Sequence, residues 1–228
     1  MKFGVVVFPG SSGSEDMVYV LRDILEQDTV TLWHEDEDLQ GANAIILPGG
    51  FSYGDYLRPG AIARFSPIMR SIKNFAQEGG FILGVGNGFQ ILCESGLLPG
   101  ALLPNINQRF ICKNTFIRVD NNYTILTSKI EKNRALKIPV AHGHGRYYAD
   151  TATLARIRQN RQILFRYCDE NVLITEGANP DGSVENIAGI CNEKKNVYGM
   201  MPHLERAADD ELGNTDGRLI LESIINTL

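Results

Sequence analysis

Residues 83–93 read LGVGNGFQILC, and our prediction of the fold begins from this stretch. An apolar run ends in a turn that contains three glycines, and residues typical of a helix follow it. In α/β enzymes, a turn of the form G-x-nucleophile-x-G raises one side chain above the carboxyl edge of the sheet and directs the next backbone N–H at an oxyanion. The spacing from Gly84 to Gly88 matches this turn, but the raised position holds Gly86. The sequence therefore predicts a scaffold for covalent chemistry without its nucleophile.

Strands and helices alternate on either side of this turn. Apolar runs predict strands at residues 2–8, 29–34, 44–47 and 80–85, and helical spacing predicts helices from a Ser14 N-cap to residue 25 and over residues 67–78. This alternation is typical of a right-handed, mainly parallel open sheet flanked by helices. The glycine-rich loop at residues 48–60 follows a strand at the edge where such sheets bind ligands.

The pattern changes after residue 97. Segments 110–119, 123–126 and 137–141 are strand-like with few helices between them, and they predict a small antiparallel extension of the sheet. A helix at 151–160, strands at 162–167, 187–191 and 197–201, and a closing helix after a Thr215 N-cap complete the pattern. No repeat, low-complexity tract or linker divides the sequence, so we predict a single α/β domain over residues 1–228.

Composition and charge exclude several classes of function. The chain is 43% hydrophobic and 21% charged, which is ordinary for a globular protein. A net charge of −5 and an isoelectric point near 5.4 provide no basic patch for nucleic acid or an anionic membrane. No apolar run approaches the roughly 20 residues that span a bilayer. We therefore expect a cytoplasmic protein with small-molecule or protein partners.

Cysteine and histidine spacing gives no metal signature. The four cysteines, at positions 93, 112, 168 and 191, include no C-x-x-C pair, so we predict buried, reduced thiols rather than a zinc site or disulfides. His142 and His144 form an H-x-H that could place two imidazoles on one face of a strand. Because no matching third ligand accompanies them, we favour a loop or interface role and predict no metal site.

A second informative stretch, MMPHLER, occupies residues 200–206. It follows a strand-like run and places His203 and Glu205 one residue apart, and in extended backbone such residues point to the same side. A carboxylate beside an imidazole fixes its tautomer and stabilises its protonated form, as in the base half of a nucleophilic triad. An H-x-E is weak evidence alone, but together with the turn at Gly86 it favours a catalytic role.

Five segments together resemble one family. They are LPGGFSYGDYLRPGAIAR (47–64), LGVGNGFQIL (83–92), GLLPGAL (96–102), IPVAHGHGRY (138–147) and MMPHLERA (200–207). The chain resembles the glutaminase subunits of phosphoribosylformylglycinamidine synthases, which are class I glutamine amidotransferases of purine biosynthesis. The resemblance runs from residue 3 nearly to the C-terminus, and it implies the flavodoxin-like fold of that class.

The resemblance implies a role for each matching residue. In such enzymes a cysteine in the turn attacks the side-chain amide of glutamine, which gives a thioester and ammonia, and water then releases glutamate. By match, His203 is the general base and Glu205 its orienting partner. The N–H groups of Gly50 and Asn87 form the oxyanion hole, and Gln90 binds the substrate glutamine.

Three departures from the family pattern bear on the chemistry. The family has GVCNGFQ where this chain has Gly86 in place of the cysteine, and FPGSNCD where this chain has Gly13 in place of a second cysteine. Leu204 replaces a proline between the histidine and the glutamate. Cys93 lies seven positions after Gly86, roughly 10 Å along a helix axis, and cannot simply take over. We therefore expect a chain that folds and binds glutamine but has no thioester-forming glutaminase activity.

The resemblance also implies partners. It predicts a large synthetase subunit that binds ATP and Mg²⁺, and a small third subunit. We expect the glycine-rich loop 48–60 to contact the synthetase subunit. This chain has no phosphate loop of the G-x-x-x-x-G-K-[ST] form, so we expect no cofactor in it. One alternative is a non-catalytic, structural or regulatory subunit of an ammonia-dependent synthetase. Another is a small-molecule-binding flavodoxin-like module, for which PGSSG is a weak phosphate loop.

Overall fold

The computed structural model describes residues 1–132 and 134–228, and over these residues it forms one nine-stranded sheet and a separate two-stranded sheet. The strands are β1 (Lys2–Val7), β2 (Asp28–Trp33), β3 (Ala44–Leu47), β4 (Phe81–Val85), β5 (Ala101–Leu103), β6 (Ile111–Val119), β7 (Leu136–His142), β8 (Arg146–Tyr148), β9 (Ile163–Cys168), β10 (Ile187–Cys191) and β11 (Val197–Met200). The helices are α1 (Ser14–Tyr19), which a π-helical turn (Val20–Ile24) continues, α2 (Ile68–Gln77), α3 (Asn87–Glu94), α4 (Thr151–Gln159) and α5 (Asp216–Ile225).

The large sheet has the strand order β2-β1-β3-β4-β11-β10-β9-β6-β7. Its first five strands pair in parallel, and the pairs from β11 to β7 are antiparallel. Strands β5 and β8 form the small antiparallel sheet. The predicted α/β fold, a parallel open sheet with an antiparallel extension, is confirmed.

Helices cover both faces of the sheet. On one face, α1 and α5 bury Met17, Ile220 and their neighbours against β1, β3 and β4. On the other face, α2, α3 and α4 bury Ile72, Phe89 and Ile157 in a second apolar cluster. Because β1, β3 and β4 are apolar on both faces, these two clusters hold the carboxyl ends of the parallel strands in fixed positions.

The structure differs from two predictions of detail, and local side-chain hydrogen bonds accompany both differences. Residues 123–126 form turns rather than a strand, because Thr127 Oγ1 donates to the Asn121 carbonyl and competes with sheet pairing. Ser14 is not the N-cap of α1: that position is Gly13, and Ser14 Oγ donates to the Ser11 carbonyl. Thr215 does occupy the N-cap position of α5, but its side chain makes no capping bond.

The cysteines only partly match the prediction of buried thiols. All four are free, but Cys112 is exposed on β6 and Cys93 is only partly buried. In the part of the chain that the structure describes, no helix is long and apolar enough to cross a membrane.

Candidate active site

The turn between β4 and α3 consists of Gly86 alone. Gly86 has φ 53° and ψ −110°, a conformation that glycine adopts without the steric cost of a Cβ. Its N–H donates to the Met200 carbonyl at 2.8 Å, which ties the turn to the end of β11. The predicted strand, sharp turn and helix are therefore present.

The two outer glycines of the turn are required by packing. A Cβ on Gly84 would lie 2.6 Å from the Gly88 carbonyl, and a Cβ on Gly88 would overlap the carbonyl of Leu47. The start of α3 therefore approaches β3 and β4 more closely than any side chain at these positions would permit. This contact explains the G-x-G-x-G spacing independently of any chemistry.

The predicted pair of His203 and Glu205 is formed. Nδ1 of His203 lies 2.7 Å from Oε1 of Glu205, and the residues are 4% and 2% exposed. Because a carboxylate accepts hydrogen bonds, Nδ1 carries the proton of the neutral imidazole, and Nε2 is left with a lone pair. A buried histidine held in this tautomer can serve as a base at Nε2.

The backbone brings the pair together differently from the prediction. We expected both residues on extended backbone, but only His203 is extended, and Glu205 lies in a 3₁₀ turn that spans Leu204–Ala207. The His203 N–H donates to the Pro139 carbonyl at 2.8 Å, and Leu204 is fully buried. Leucine at this position therefore anchors the turn in the core and leaves the pair intact.

The Cε1–Nε2 edge of the His203 ring faces the turn at Gly86. An ideal Cβ built on Gly86 would lie 3.1 Å from Nε2 and 2.9 Å from Cε1 of His203. Any side chain raised by this turn would therefore begin beside the base. The structure thus brings Gly86 and His203 together, although they are more than a hundred positions apart in sequence.

The loop before α1 packs against Gly50, whose N–H is one of the two predicted for the oxyanion hole. Gly50 has φ +130°, and a Cβ on it would lie 2.5 Å from the Ser12 nitrogen. The Gly13 N–H donates to the Gly49 carbonyl at 3.1 Å, and a Cβ on Gly13 would lie 3.4 Å from the Gly49 Cα. A Cβ on Gly86 would lie 3.6 Å from the same Cα atom. The two positions where the family pattern has cysteine therefore flank one residue, Gly49.

A chain of side-chain amides joins the turn to two loops. The Ser52 N–H donates to Asn87 Oδ1 at 3.0 Å, Asn87 Nδ2 donates to Gln90 Oε1 at 2.9 Å, and Gln90 Nε2 donates to the His144 carbonyl at 2.7 Å. Gln90 is 5% exposed, so it is not a solvent-facing helix residue. Its amide is already hydrogen-bonded at both ends, and it fixes the cavity wall.

One cavity collects the predicted residues. Gly50, Gly86, Asn87, Gln90 and His203 all line it, and Glu205 lies behind His203. Its volume is about 20 Å³, which is roughly the room that one water molecule needs. Further lining residues that sequence reasoning did not assign to the site are Phe51, Asp55, His142, His144 and Met201.

Asn105, also missed from the sequence, fixes the far wall of this cavity. Its Nδ2 donates to the carbonyls of Arg109 and His142 at 2.8 and 2.9 Å, and its Oδ1 accepts from the Gly145 N–H at 2.9 Å. These bonds hold the loop that contains His144. The glycines of the HGHG run mark this loop in the sequence, but nothing there identifies its partner.

Burial shifts the pKa of several groups near the site. It raises the pKa of Asp55 to about 6 and lowers the pKa of His142 to about 4, so that His142 is neutral at pH 7. Burial also raises the pKa of the Cys93 thiol well above its ordinary value. Since a thiol must ionise to attack, Cys93 does not replace the missing nucleophile.

The fold of this chain is that of a glutamine amidotransferase domain. The family model of the CobB/CobQ-like glutamine amidotransferase domain matches residues 1–216. Among curated relatives, phosphoribosylformylglycinamidine synthase subunit PurQ of Moorella thermoacetica is 55% identical, with 99% of this chain and 96% of the relative covered. The PurQ subunit of Acaryochloris marina is 52% identical, with 100% and 97% covered.

A solved structure agrees with these relatives. The structure of PurLQS from Thermotoga maritima contains a chain that is 42% identical to this one, with a TM-score of 0.86 and with 99% of this chain and 97% of that chain covered. The chain therefore belongs to the PurQ family of glutamine amidotransferases.

Proposed function

We propose that this chain is the glutamine-binding subunit of a phosphoribosylformylglycinamidine synthase, and that it forms no thioester because Gly86 supplies no nucleophile. One observation carries the proposal: the His203–Glu205 pair faces Gly86 across a cavity that Gly50, Asn87 and Gln90 also line. The residues that would activate a cysteine thiol are present, but position 86 has a hydrogen atom in place of the cysteine side chain.

Each residue has a role in this proposal. With a cysteine at position 86, Nε2 of His203 accepts the thiol proton, and Glu205 stabilises the imidazolium that results. The N–H groups of Gly50 and Asn87 stabilise the oxyanion that forms on the amide carbon of glutamine. Glycine at 86 removes the first step and leaves the binding surface. Glutamine entry requires movement of the cavity wall, because a volume of about 20 Å³ is too small for it.

The reaction class follows from the relatives. The proteins most similar to this chain are named subunits of phosphoribosylformylglycinamidine synthase, and one similar chain was solved in a PurLQS assembly. By this likeness, the chain assembles with a large synthetase subunit that binds ATP and Mg²⁺, and with a small third subunit. The complex converts formylglycinamide ribonucleotide to formylglycinamidine ribonucleotide with ammonia. No cofactor is assigned to this chain itself.

Synthesis by the reconstituted complex tests the proposal. Purified chain is mixed with the synthetase subunit, the third subunit, ATP, Mg²⁺ and formylglycinamide ribonucleotide, and the nitrogen source is either glutamine or ammonium. With the unsubstituted chain, we expect product from ammonium but not from glutamine. With Gly86→Cys, we expect product from both nitrogen sources. Product from glutamine at a rate near that of Gly86→Cys would contradict the assignment of position 86.

A non-catalytic subunit is the second candidate. Glycine at both 13 and 86, on either side of Gly49, favours it because both changes remove side chains beside the same loop. Calorimetric titration with glutamine separates the candidates. Binding supports a retained glutamine pocket, whereas no binding in the assembled complex supports a purely structural or regulatory subunit.

A further inference from the structure

The absence of a side chain at Gly86 leaves room for a water molecule beside His203. The position of an ideal Cβ on Gly86 is 3.1 Å from Nε2 of His203. The same position lies 2.9 Å from Cε1, so a water molecule that hydrogen-bonds to Nε2 sits further along the direction of its lone pair, inside the cavity that Gly86 and His203 both line. The lone pair on Nε2 makes no hydrogen bond within residues 1–132 and 134–228, so it can accept the proton of a water molecule placed there. The cavity volume of about 20 Å³ is also sufficient for one water molecule.

We propose that this chain is a slow, thiol-independent hydrolase of γ-glutamyl esters, in which His203 activates a water molecule held in the cavity beside Gly86. This inference rests on the proposed function, because it requires the glutamine pocket to hold the γ-glutamyl group. It assigns an activity to the residues that remain after loss of the cysteine.

The reaction needs no reactant besides the ester and water. Nε2 of His203 takes a proton from the water as its oxygen forms a bond to the γ-carbonyl carbon. The π-electron pair of the carbonyl moves onto its oxygen, which the N–H groups of Gly50 and Asn87 stabilise. When this pair returns, the bond to the alkoxide breaks, and the alkoxide takes the proton back from His203. The products are glutamate and the alcohol.

Esters are the substrate class for a chemical reason. Water is a weaker nucleophile than a thiolate, and an amide must have its leaving nitrogen protonated before the carbon–nitrogen bond breaks. An alkoxide leaves more readily. Enzymes that lose their nucleophile retain rate enhancement from the oxyanion hole and from binding. The γ-methyl ester of L-glutamate resembles glutamine in size, so it is the appropriate probe.

The decisive comparison uses four forms of the full-length chain, assayed for methanol release from L-glutamate γ-methyl ester. The unsubstituted chain is expected to hydrolyse the ester above the buffer rate. His203→Gln is expected to lower this rate about 10²-fold or to the buffer rate, because it removes the general base. Gly86→Ala places a methyl group 3.1 Å from Nε2 of His203, where it excludes the water molecule, and is expected to abolish the reaction as well. Cys93→Ser, outside the cavity, is expected to leave the rate unchanged.

Thiol chemistry provides a second readout that does not depend on whether Gly86→Ala folds. Hydrolysis by the unsubstituted chain should resist iodoacetamide and show no burst of methanol, whereas Gly86→Cys should be inactivated by the reagent and show a burst. The inference is overturned if the unsubstituted chain has no His203-dependent hydrolysis, or if folded Gly86→Ala retains the full rate. If Gly86→Cys then hydrolyses the same ester, the pocket binds the γ-glutamyl group and only this inference has failed. If Gly86→Cys is also inactive, the proposed glutamine pocket is wrong as well.

Discussion

Replacing Gln90 with leucine breaks the amide chain that joins the turn at Gly86 to the loop of His144. The substitution keeps the size and burial of the side chain but removes its bonds to Asn87 Nδ2 at 2.9 Å and to the His144 carbonyl at 2.7 Å. Asn87 Nδ2 is then left with only Asp55 Oδ1, at 3.5 Å. Each buried polar group that loses its partner costs about 1–3 kcal/mol, so the two together, partly offset by the apolar leucine, should cost about 2–4 kcal/mol.

Urea unfolding followed by circular dichroism measures this cost. For a chain of this length, the same loss lowers the melting temperature by about 5–12 °C. Gln159→Leu is the matched control, because Gln159 is exposed at the end of α4 and its substitution should change stability by less than about 0.5 kcal/mol. If Gln90→Leu were no more destabilising than Gln159→Leu, the amide chain would not be a structural element of the site.

Three further predictions address the pair, the cavity and the turn. Glu205→Gln in the Gly86→Cys background should lower the rate of glutamate release by about 10²- to 10⁴-fold, since it removes the charge that stabilises the protonated base; a loss below threefold would contradict this. The pKa of Asp55 is about 6 in the folded protein against an ordinary 3.8, so its contribution to stability is present below pH 3.8 and is lost as the pH rises through 6. Asp55→Asn should therefore change the free energy of unfolding more favourably at pH 7.5 than at pH 4, as measured by urea titration. An equal effect at both pH values would be inconsistent with the raised pKa. Gly88→Ala should cost about 3 kcal/mol or more by overlap with a backbone carbonyl, whereas Gly177→Ala, where a Cβ meets nothing within 4 Å, should be nearly neutral in thermal unfolding.

The sequence predicts the fold well where periodicity is strong. Strands β1, β3 and β4 are continuous apolar runs. The glycine spacing around Gly86 is also recognisable, because the close approach of helix and strand there requires glycine at positions 84 and 88. Prediction fails at residues 123–126, where apolar and β-branched residues suggest a strand. There the hydroxyl of Thr127 and the amide of Asn121 bond to nearby backbone instead.

The site is predictable only as far as its motifs extend. The turn, the two glycines before Phe51 and the H-x-E segment are all visible in the sequence, because each has a local pattern. The support from Asn105 is not visible, because its bonds to His142 and Gly145 cross long stretches of chain. The convergence of Gly13 and Gly86 on Gly49 is likewise a product of sheet topology, since β1, β3 and β4 are neighbours only in the folded chain.

The role of position 86 is tested most directly by glutamate release from glutamine by the chain with and without Gly86→Cys, in complex with its synthetase partner. We expect this one substitution to raise the rate by at least about 10³-fold, because the base, its orienting carboxylate and the N–H groups already surround position 86. Equal rates for the two forms would show that position 86 is not the site of the nucleophile. A folded, assembled Gly86→Cys chain without activity would show that the remaining residues do not form a glutaminase site.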